Sequence, residues 1–204
     1  KVKSRGHQMS TLNEKGLLII DLQNDFLHNK GAYGRAGLQN NHISALPSRI
    51  YPVVERFKKN GSWIISAQFT LVPGKNGNPF ISKHLKKMRP FLGKGDFVSG
   101  EWGHNLVDEL KPADIIIEKV AYSAFYMTRL EWILRKANIK HLYVCGIVTN
   151  GGVASTIRDA HLRDISSTLI SDGCASFSAE SHSTALLDMS TIVHSITSEE
   201  ASSI

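Results

Sequence analysis

Three side chains that could transfer protons or bind anions stand just after short apolar runs of this 204-residue sequence. Asp21 comes after the first run, Gln68 after the second and Lys119 after the third. An acid and a lysine that converge can exchange a proton with a ligand and stabilise a developing anion. Asp21 could equally act as a structural cap or bridge with Lys119 as its ion-pair partner, so residue types alone leave both interpretations open.

A glycine-bearing turn follows the fourth apolar run, in Gly146-Ile-Val-Thr-Asn-Gly-Gly-Val153. Helical periodicity begins within this turn. The first turn of a helix carries unpaired backbone N–H groups, and glycine lets a ligand approach them closely. The turn is therefore a candidate site for a carbonyl or carboxylate.

The elements that must position these groups alternate between strand and helix. Six apolar runs are predicted to be buried strands, at residues 17–20, 63–66, 115–117, 142–145, 168–171 and 192–196. Helical periodicity is found at residues 46–60, 127–138, 151–163 and 179–189. This alternation predicts right-handed crossovers, and thus an α/β fold with a doubly wound, mainly parallel six-stranded sheet and helices on both faces. In such sheets ligands bind beyond the carboxyl ends of the strands, where Asp21, Gln68 and Lys119 would meet.

The length favours one domain, which we assign to residues 16–204 after an N-terminal lead of residues 1–15. Within it, residues 69–112 are rich in Gly, Pro, Lys and Asn and show no strong strand. Long segments of this kind are often lids or binding loops, although a surface excursion or a subunit contact would look the same. The segment contains a basic cluster, Lys83, His84, Lys86, Lys87 and Arg89, which is either a solvated face or an attractor of an anionic substrate.

Composition argues against several classes of protein. The formal net charge is +6, but Lys1, Lys3 and Arg5 supply half of it, so nucleic acid is not an expected partner. No apolar run approaches the length of a membrane span and no secretory signal is evident, so we expect a cytoplasmic protein with no membrane partner. Cys145 is predicted to be buried in the fourth strand, and Cys174 to follow the fifth.

No cofactor and no metal are expected. The two cysteines form neither a disulfide framework nor a metal-ligand pattern. His84 and His104 are isolated in the long segment, where a lone histidine is usually a surface residue. Neither a P-loop nor a GxGxxG pattern follows any predicted strand, which argues against nucleotide binding.

Several blocks of the sequence together resemble the isochorismatase-like hydrolases, which include cysteine hydrolases. These blocks are Leu18-Ile-Ile-Asp-Leu-Gln-Asn-Asp-Phe26, Glu118-Lys-Val-Ala-Tyr-Ser-Ala-Phe125, Val144-Cys-Gly-Ile-Val-Thr-Asn-Gly-Gly-Val153 with Arg158-Asp-Ala160, and Asp172-Gly-Cys-Ala175. The family fold that the resemblance implies is the one predicted from the alternation of elements. Most members are amidases with an Asp–Lys–Cys triad. The resemblance assigns the first two roles to Asp21 and Lys119, whereas the position of the cysteine is Gly152.

True isochorismatases also lack the cysteine, and Ser66-Ala-Gln68 is similar to their substrate-binding segment. The resemblance thus implies hydrolysis of a vinyl ether, with Asp21 as general acid and with Lys119 and Gln68 binding the carboxylate or enolpyruvyl group. The substrate would be isochorismate or a related small anionic enol-ether acid, and pyruvate would be released. The residues that the resemblance places at the substrate are Gln68, Phe26, Tyr122, Phe125, Val148, Gly151 and Gly152.

This sequence also departs from the isochorismatases. Val148 stands where a tyrosine is expected, and no arginine aligns with their second carboxylate-binding residue, for which Lys75 and Arg89 are the candidates. Two alternatives therefore remain: an inactive member that keeps a small-molecule pocket or an interaction role, and an amidase that works without the cysteine. The resemblance further implies a cis peptide between Ile147 and Val148 and a homo-oligomer.

Overall fold

Residues 14–204 are described in a computed structural model of the chain; all but the last two residues of the predicted N-terminal lead lie outside this range. Six strands are present in the described range. They are β1 (Lys15–Ile20), β2 (Trp63–Phe69), β3 (Ile115–Lys119), β4 (His141–Ile147), β5 (Ser166–Ala175) and β6 (His194–Ile196). No helix of this range is long and apolar enough to cross a membrane.

The strands form a single sheet in the order β3-β2-β1-β4-β5-β6, and every neighbouring pair is parallel. The predicted doubly wound α/β fold is confirmed. The chain runs outward from β1 through β2 to β3, then returns to the other side of β1 with β4. The crevice between the carboxyl ends of β1 and β4 is therefore the switch point at which sheets of this kind bind ligands.

Nine α-helices accompany the sheet in the described range. They are α1 (Asn24–Leu27), α2 (Ala32–Arg35), α3 (Asn41–Ser44), α4 (Leu46–Lys59), α5 (Lys83–Met88), α6 (Leu130–Lys136), α7 (Ala154–Leu162), α8 (Ala179–Met189) and α9 (Ser198–Ser202). One apolar core packs α6, α7 and α8 on one face of the sheet, and a second packs α4 and α9 on the other. Both faces of the central strands are thus buried, which explains their continuous apolar runs.

Local sequence explains where the long helices begin and end. Helix α4 ends at Lys59, with cations in its last turn and with Gly61 at a φ of 69° after the cap Asn60. Cations favour the carboxyl end of the helix dipole, and glycine adopts positive φ without a steric penalty. Helix α8 begins after Ser178, whose side chain accepts a hydrogen bond from the backbone N–H of Ser181.

Some predicted boundaries are wrong. Gln68 and Lys119 do not follow their strands; each lies within the last two residues of one. Cys174 does not follow the fifth strand but is buried inside it, because β5 continues past an irregularity in its pairing with β4. Cys145 is buried in β4 as predicted.

Glycine allows strand β4 to pack closely against β1 beside the crevice. Gly146 pairs with Ile20 and has a φ of 122°. A Cβ atom at Gly146 would lie 2.1 Å from the carbonyl oxygen of Ile20. Only glycine fits this position, and the approach it allows sets the place of the turn that follows β4.

The long segment of residues 69–112 crosses the carboxyl edge of the sheet and is fastened by Asp25. The two carboxylate oxygens of Asp25 accept hydrogen bonds from the backbone N–H groups of Ala32, at 2.9 Å, and Phe97, at 2.7 Å. The prediction of a surface position for His104 is wrong. Its ring is buried, with Nε2 2.8 Å from Oγ1 of Thr70.

Candidate active site

Asp21 and Lys119 form a buried ion pair at the switch point of the sheet. Nζ of Lys119 lies 2.7 Å from Oδ2 of Asp21 and also donates to the carbonyl oxygen of Ala121 at 3.1 Å. Both side chains are almost fully buried, yet both border a cavity. The pair can therefore present a proton donor and a cation to a ligand that has lost most of its water.

The backbone holds the Asp21 carboxyl in an unusual conformation. Asp21 has a φ of 58°, a region that non-glycine residues seldom adopt and that is found more often at functional sites. Its N–H donates to the carbonyl of Ala67 at 2.9 Å, and its Oδ1 accepts from the N–H of Phe69 at 3.0 Å. Strand β2 thus fixes the carboxyl, and Oδ2 is left for Lys119 and the cavity.

Gln23 is a buried residue that the sequence reasoning did not single out. Its Oε1 accepts from the N–H of Phe69 at 2.8 Å, and its Nε2 donates to the carbonyls of Phe69 and His104 at 2.9 Å each. It thereby positions the backbone that holds Asp21. Its place two residues after Asp21 in a polar stretch was the available signal.

Burial governs the protonation of this acid. Burial raises the pKa of the Asp21 carboxyl above its usual value, although the Lys119 ammonium and the Phe69 hydrogen bond partly lower it. A raised pKa favours the neutral carboxyl, which is the form that can give a proton. The arrangement thus suits a general acid whose charged form Lys119 stabilises after the transfer.

The turn after β4 supplies the other wall of the crevice. The peptide between Ile147 and Val148 is cis, and a π-helical turn, Thr149–Val153, leads into α7. A Cβ atom at Gly152 would lie 3.2 Å from Oδ2 of Asp21 and 3.0 Å from the carbonyl oxygen of Ile147. A side chain at this position would thus face the acid directly. Glycine leaves that space to the ligand.

The cavity beside the pair has a volume of about 70 Å³, and five of its thirteen lining residues are aromatic. Its lining residues are Asp21, Phe26, Tyr33, Phe69, Leu85, Arg89, Leu92, Lys119, Tyr122, Ile147, Val148, Gly152 and Phe177. Of the nine residues predicted for the site, the cavity brings together the following six: Asp21, Lys119, Phe26, Tyr122, Val148 and Gly152.

The other three predicted site residues do not line it. Gln68 alternates with Phe69 along β2, so its side chain points to the opposite face of the sheet, where Nε2 lies 3.3 Å from Oγ of Ser66. Phe125 is packed in the core with α6 and α7. Gly151 lies one residue before the wall formed by Gly152 and is absent from the lining.

The two candidate cations for a substrate carboxylate differ in position. Lys75 is exposed and is absent from the cavity lining. Arg89 borders the cavity, and its Nε donates to the hydroxyl of Tyr33 at 3.2 Å. Its guanidinium carbon lies 5.9 Å from the centroid of the Phe177 ring, which stacks on Tyr33 at 5.7 Å.

The cysteines are placed unfavourably for attack on a ligand. Burial raises the pKa of the Cys174 thiol to about 12, and it raises that of Cys145 well above its usual value. Thiolate is the reactive form, so neither residue is suited to act as a nucleophile. Within residues 14–204 no three His, Cys, Asp or Glu side chains converge in a group that could hold a metal ion.

Comparison with known proteins identifies the family of this chain. Residues 15–201 match the model of the isochorismatase domain. The chain belongs to the isochorismatase family. Family members are hydrolases, and the six-stranded parallel α/β fold described above is that of isochorismatase-like hydrolases.

The relatives that the isochorismatase-like chain resembles include enzymes named for amide hydrolysis. It is 32% identical over 170 residues to ureidoacrylate amidohydrolase RutB of Cronobacter sakazakii, covering 78% of this chain and 73% of that protein. A cysteine hydrolase from Pseudomonas syringae pv. phaseolicola superposes with a TM-score of 0.80 at 20% identity, over 94% of this chain and 92% of that one. The nicotinamidase PncA of Bacillus subtilis gives 0.74 at 25% identity, over 90% and 99%.

Proposed function

We propose that this protein is a metal-free hydrolase that cleaves the vinyl-ether bond of isochorismate or a related enol-ether acid and releases pyruvate. The observation that carries the proposal is the open space at Gly152. A Cβ atom at this position would lie 3.2 Å from Oδ2 of Asp21. A triad hydrolase needs a nucleophilic side chain there. A reaction that begins with protonation of carbon needs only an acid and room for water.

In the proposed reaction Asp21 gives its proton to the terminal CH2 of the enol ether. The resulting oxocarbenium ion is captured by water, whose proton returns to the Asp21 carboxylate. The hemiketal then collapses to pyruvate and an alcohol. When a substrate carboxylate approaches, Lys119 shifts its hydrogen bond to that group, which removes the main charge that keeps Asp21 ionised. Backbone N–H groups of the turn at Gly152 would bind the substrate carboxylate or, in the final collapse, the negative charge that develops on the departing alcohol oxygen.

Arg89 supports an anionic substrate. It borders the cavity and has no acidic partner within 4 Å among residues 14–204, while its Nε donates to Tyr33 and its Nη1 to the carbonyl of Met88. A guanidinium can still offer its other N–H groups to a carboxylate as a fork. Together, Lys119 and Arg89, which both line the cavity, would bind the two carboxylates of a diacid.

Amide hydrolysis is the second candidate, because the chain is 32% identical to ureidoacrylate amidohydrolase RutB. Without a thiol, Asp21 would have to act as a base toward water instead of as an acid toward carbon. Ureidoacrylate hydrolysis by the wild-type protein would favour this candidate. Absence of turnover with both substrates would favour a member that binds small molecules without converting them.

The proposal is tested by measuring pyruvate release from isochorismate with a lactate dehydrogenase couple, after subtraction of spontaneous breakdown. Asp21→Asn removes the transferable proton while keeping the shape, so we expect turnover to fall by at least about 100-fold. Asp108→Asn, which changes an exposed carboxyl remote from the cavity, should keep wild-type turnover. Full activity in Asp21→Asn would refute the assigned role.

A further inference from the structure

The positive charge of the chain is concentrated in one stretch of the long segment. Residues 75–94 contain six lysine and arginine residues and no aspartate or glutamate, so their formal charge of +6 equals that of the whole chain. None of these six cations lies within 4 Å of an acidic group among residues 14–204. A solvated face usually mixes both signs. An unpaired stretch of one sign produces a directed field.

Helix α5 lies in the middle of this stretch and is weakly attached to the rest of the molecule. None of its six residues is buried. The stretch around α5 contacts the protein through Ile81, Leu85 and Phe91, which are partly buried against an apolar cluster, and through Arg89 and Leu92, which border the cavity with Leu85. Few buried apolar contacts mean a low free energy of local opening. Helix α8, by contrast, buries Ala185 and Met189.

The cavity is too small, as it stands, for a ring-bearing acid. An engineered apolar cavity of roughly 150 Å³ accommodates benzene. The cavity over Asp21 and Lys119 measures about 70 Å³, about half of that value. Any substrate larger than a few heavy atoms must therefore displace part of the lining, and α5 is a wall none of whose residues is buried.

We propose that α5 and its flanking residues form a cationic flap, which opens to admit an anionic substrate, steers it toward the Asp21–Lys119 crevice and closes on it through Arg89. The Arg89 contacts with Tyr33 and Phe177 join the flap to two other elements and would be remade around the substrate. Lys83 and Lys87 are exposed on α5 and would supply the attraction at a distance. The substrate class this implies is a small organic acid, and the inference rests on the proposed function for its turnover assay.

The field of the flap should be visible in the salt dependence of kcat/KM. Screening lengths are roughly 30 Å at 0.01 M salt and 10 Å at 0.1 M, so steering is strong only in the dilute buffer. We expect Lys83→Gln/Lys87→Gln to lower kcat/KM for isochorismate about 3- to 10-fold at 10 mM salt, with the loss disappearing by 300 mM.

Lys59→Gln/Lys136→Gln removes the same two charges from the ends of α4 and α6, which lie at the opposite edge of the sheet. If kcat/KM depends only on net charge, both double variants will behave alike at every salt concentration, and the steering role of the flap is overturned. A salt-sensitive loss confined to the α5 variant supports it.

Hydrogen exchange in the free wild-type protein tests the opening of the flap separately from the reaction. We expect the amides of α5 to exchange at least about 100-fold faster than those of α8. Protection of α5 equal to that of α8 would overturn the flap. If the wild-type protein turns over neither isochorismate nor ureidoacrylate, the proposed function fails, and the exchange result alone decides whether the flap stands.

Discussion

The protonation state of Asp21 is subject to opposing effects. Burial favours its neutral form, Lys119 favours its charged form, and its backbone is held in a left-handed conformation by β2. Groups whose protonated and ionised forms are closely balanced are the ones that proteins use to move protons. Because Gly152 has no side chain, the Asp21 carboxyl faces a bound ligand and not a neighbouring thiol, so its proton can be transferred to that ligand.

The direction of the pH dependence separates the two candidate reactions. A general acid must be protonated, so vinyl-ether turnover should be constant at low pH and fall as pH rises through the raised pKa of Asp21. The measurement is kcat/KM between pH 4 and 8. Activity that instead rises with pH would indicate Asp21 acting as a base toward water, as an amidase would require.

Gly152→Ala should block the reaction while keeping the fold. The added Cβ would lie 3.2 Å from Oδ2 of Asp21, where water and the enol ether must approach. Displacement of reacting groups by about 1 Å can cost about 100-fold, so we expect kcat to fall by roughly that factor. In the control Gly100→Ala, outside the 75–94 stretch, the new Cβ would meet no atom within 4 Å. Equal turnover in both variants would contradict the role of this space.

The strands position the site through a few close approaches that side-chain chemistry does not reveal. Gly146 lets β4 run against β1 at the crevice, and the turn carrying Gly152 starts directly after β4. The register of two elements therefore determines the distance between the acid and the glycine turn.

Gly146→Ala tests this dependence on close approach. Its Cβ would lie 2.1 Å from the Ile20 carbonyl oxygen, a backbone atom that cannot move without disrupting the sheet. We expect a loss of about 3 kcal/mol or more in the free energy of unfolding, measured in urea. Gly37→Ala separates the two causes, because Gly37 has a φ of 70° but no atom within 4 Å of its Cβ position. It should cost only about 1 kcal/mol.

Periodicity predicted the sheet because its strands are buried on both faces and therefore have continuous apolar runs. It did not predict the aromatic wall of the cavity. Tyr33 lies in a four-residue helix, α2, and Phe177 lies in the connection between β5 and α8. Such short elements have no repeating pattern, and their positions depend on long-range contacts such as those of Asp25. Sequence reasoning also placed Gln68 in the site. The second strand was predicted to end at residue 66, whereas β2 continues to Phe69. A strand boundary that is a few residues short gives no reliable side-chain direction.

The molecule as a whole gathers its chemistry from distant parts of the chain. Asp21 and Lys119 are 98 residues apart in sequence and meet only because β1, β2 and β3 lie side by side. The long segment that follows β2 then covers the same edge and carries the positive charge. The sheet must therefore fold and the long segment must cover it before the pair becomes a site. His104 links the segment to the residues just after β1, because its carbonyl accepts a hydrogen bond from Gln23.

His104 should make the global stability of the protein sensitive to acid. Burial lowers the pKa of its imidazole, an effect that Glu118 and Asp25 oppose only in part. The unfolded chain takes up this proton near the ordinary value of 6.5, whereas the folded protein resists it. The contribution of His104 to the free energy of unfolding is therefore full above that value and declines as pH falls below it, by at most about 1.4 kcal/mol per pH unit.

The buried carboxyls act in the opposite direction. Because burial raises the pKa values of Asp21 and Asp25, the folded protein binds their protons more readily, and their contribution improves as pH falls. The pH dependence of the wild-type free energy of unfolding is therefore ambiguous by itself, and its difference from that of a variant is the informative quantity.

Urea unfolding at pH 5.5 and 7.5 should show a smaller loss of unfolding free energy on acidification in His104→Gln than in the wild type. His161→Gln, at an exposed position on α7, should keep the wild-type slope. If both variants keep it, the folded protein accepts a proton on His104 as easily as the unfolded chain does, and Thr70 and Gln23 hold the segment without depending on a neutral ring.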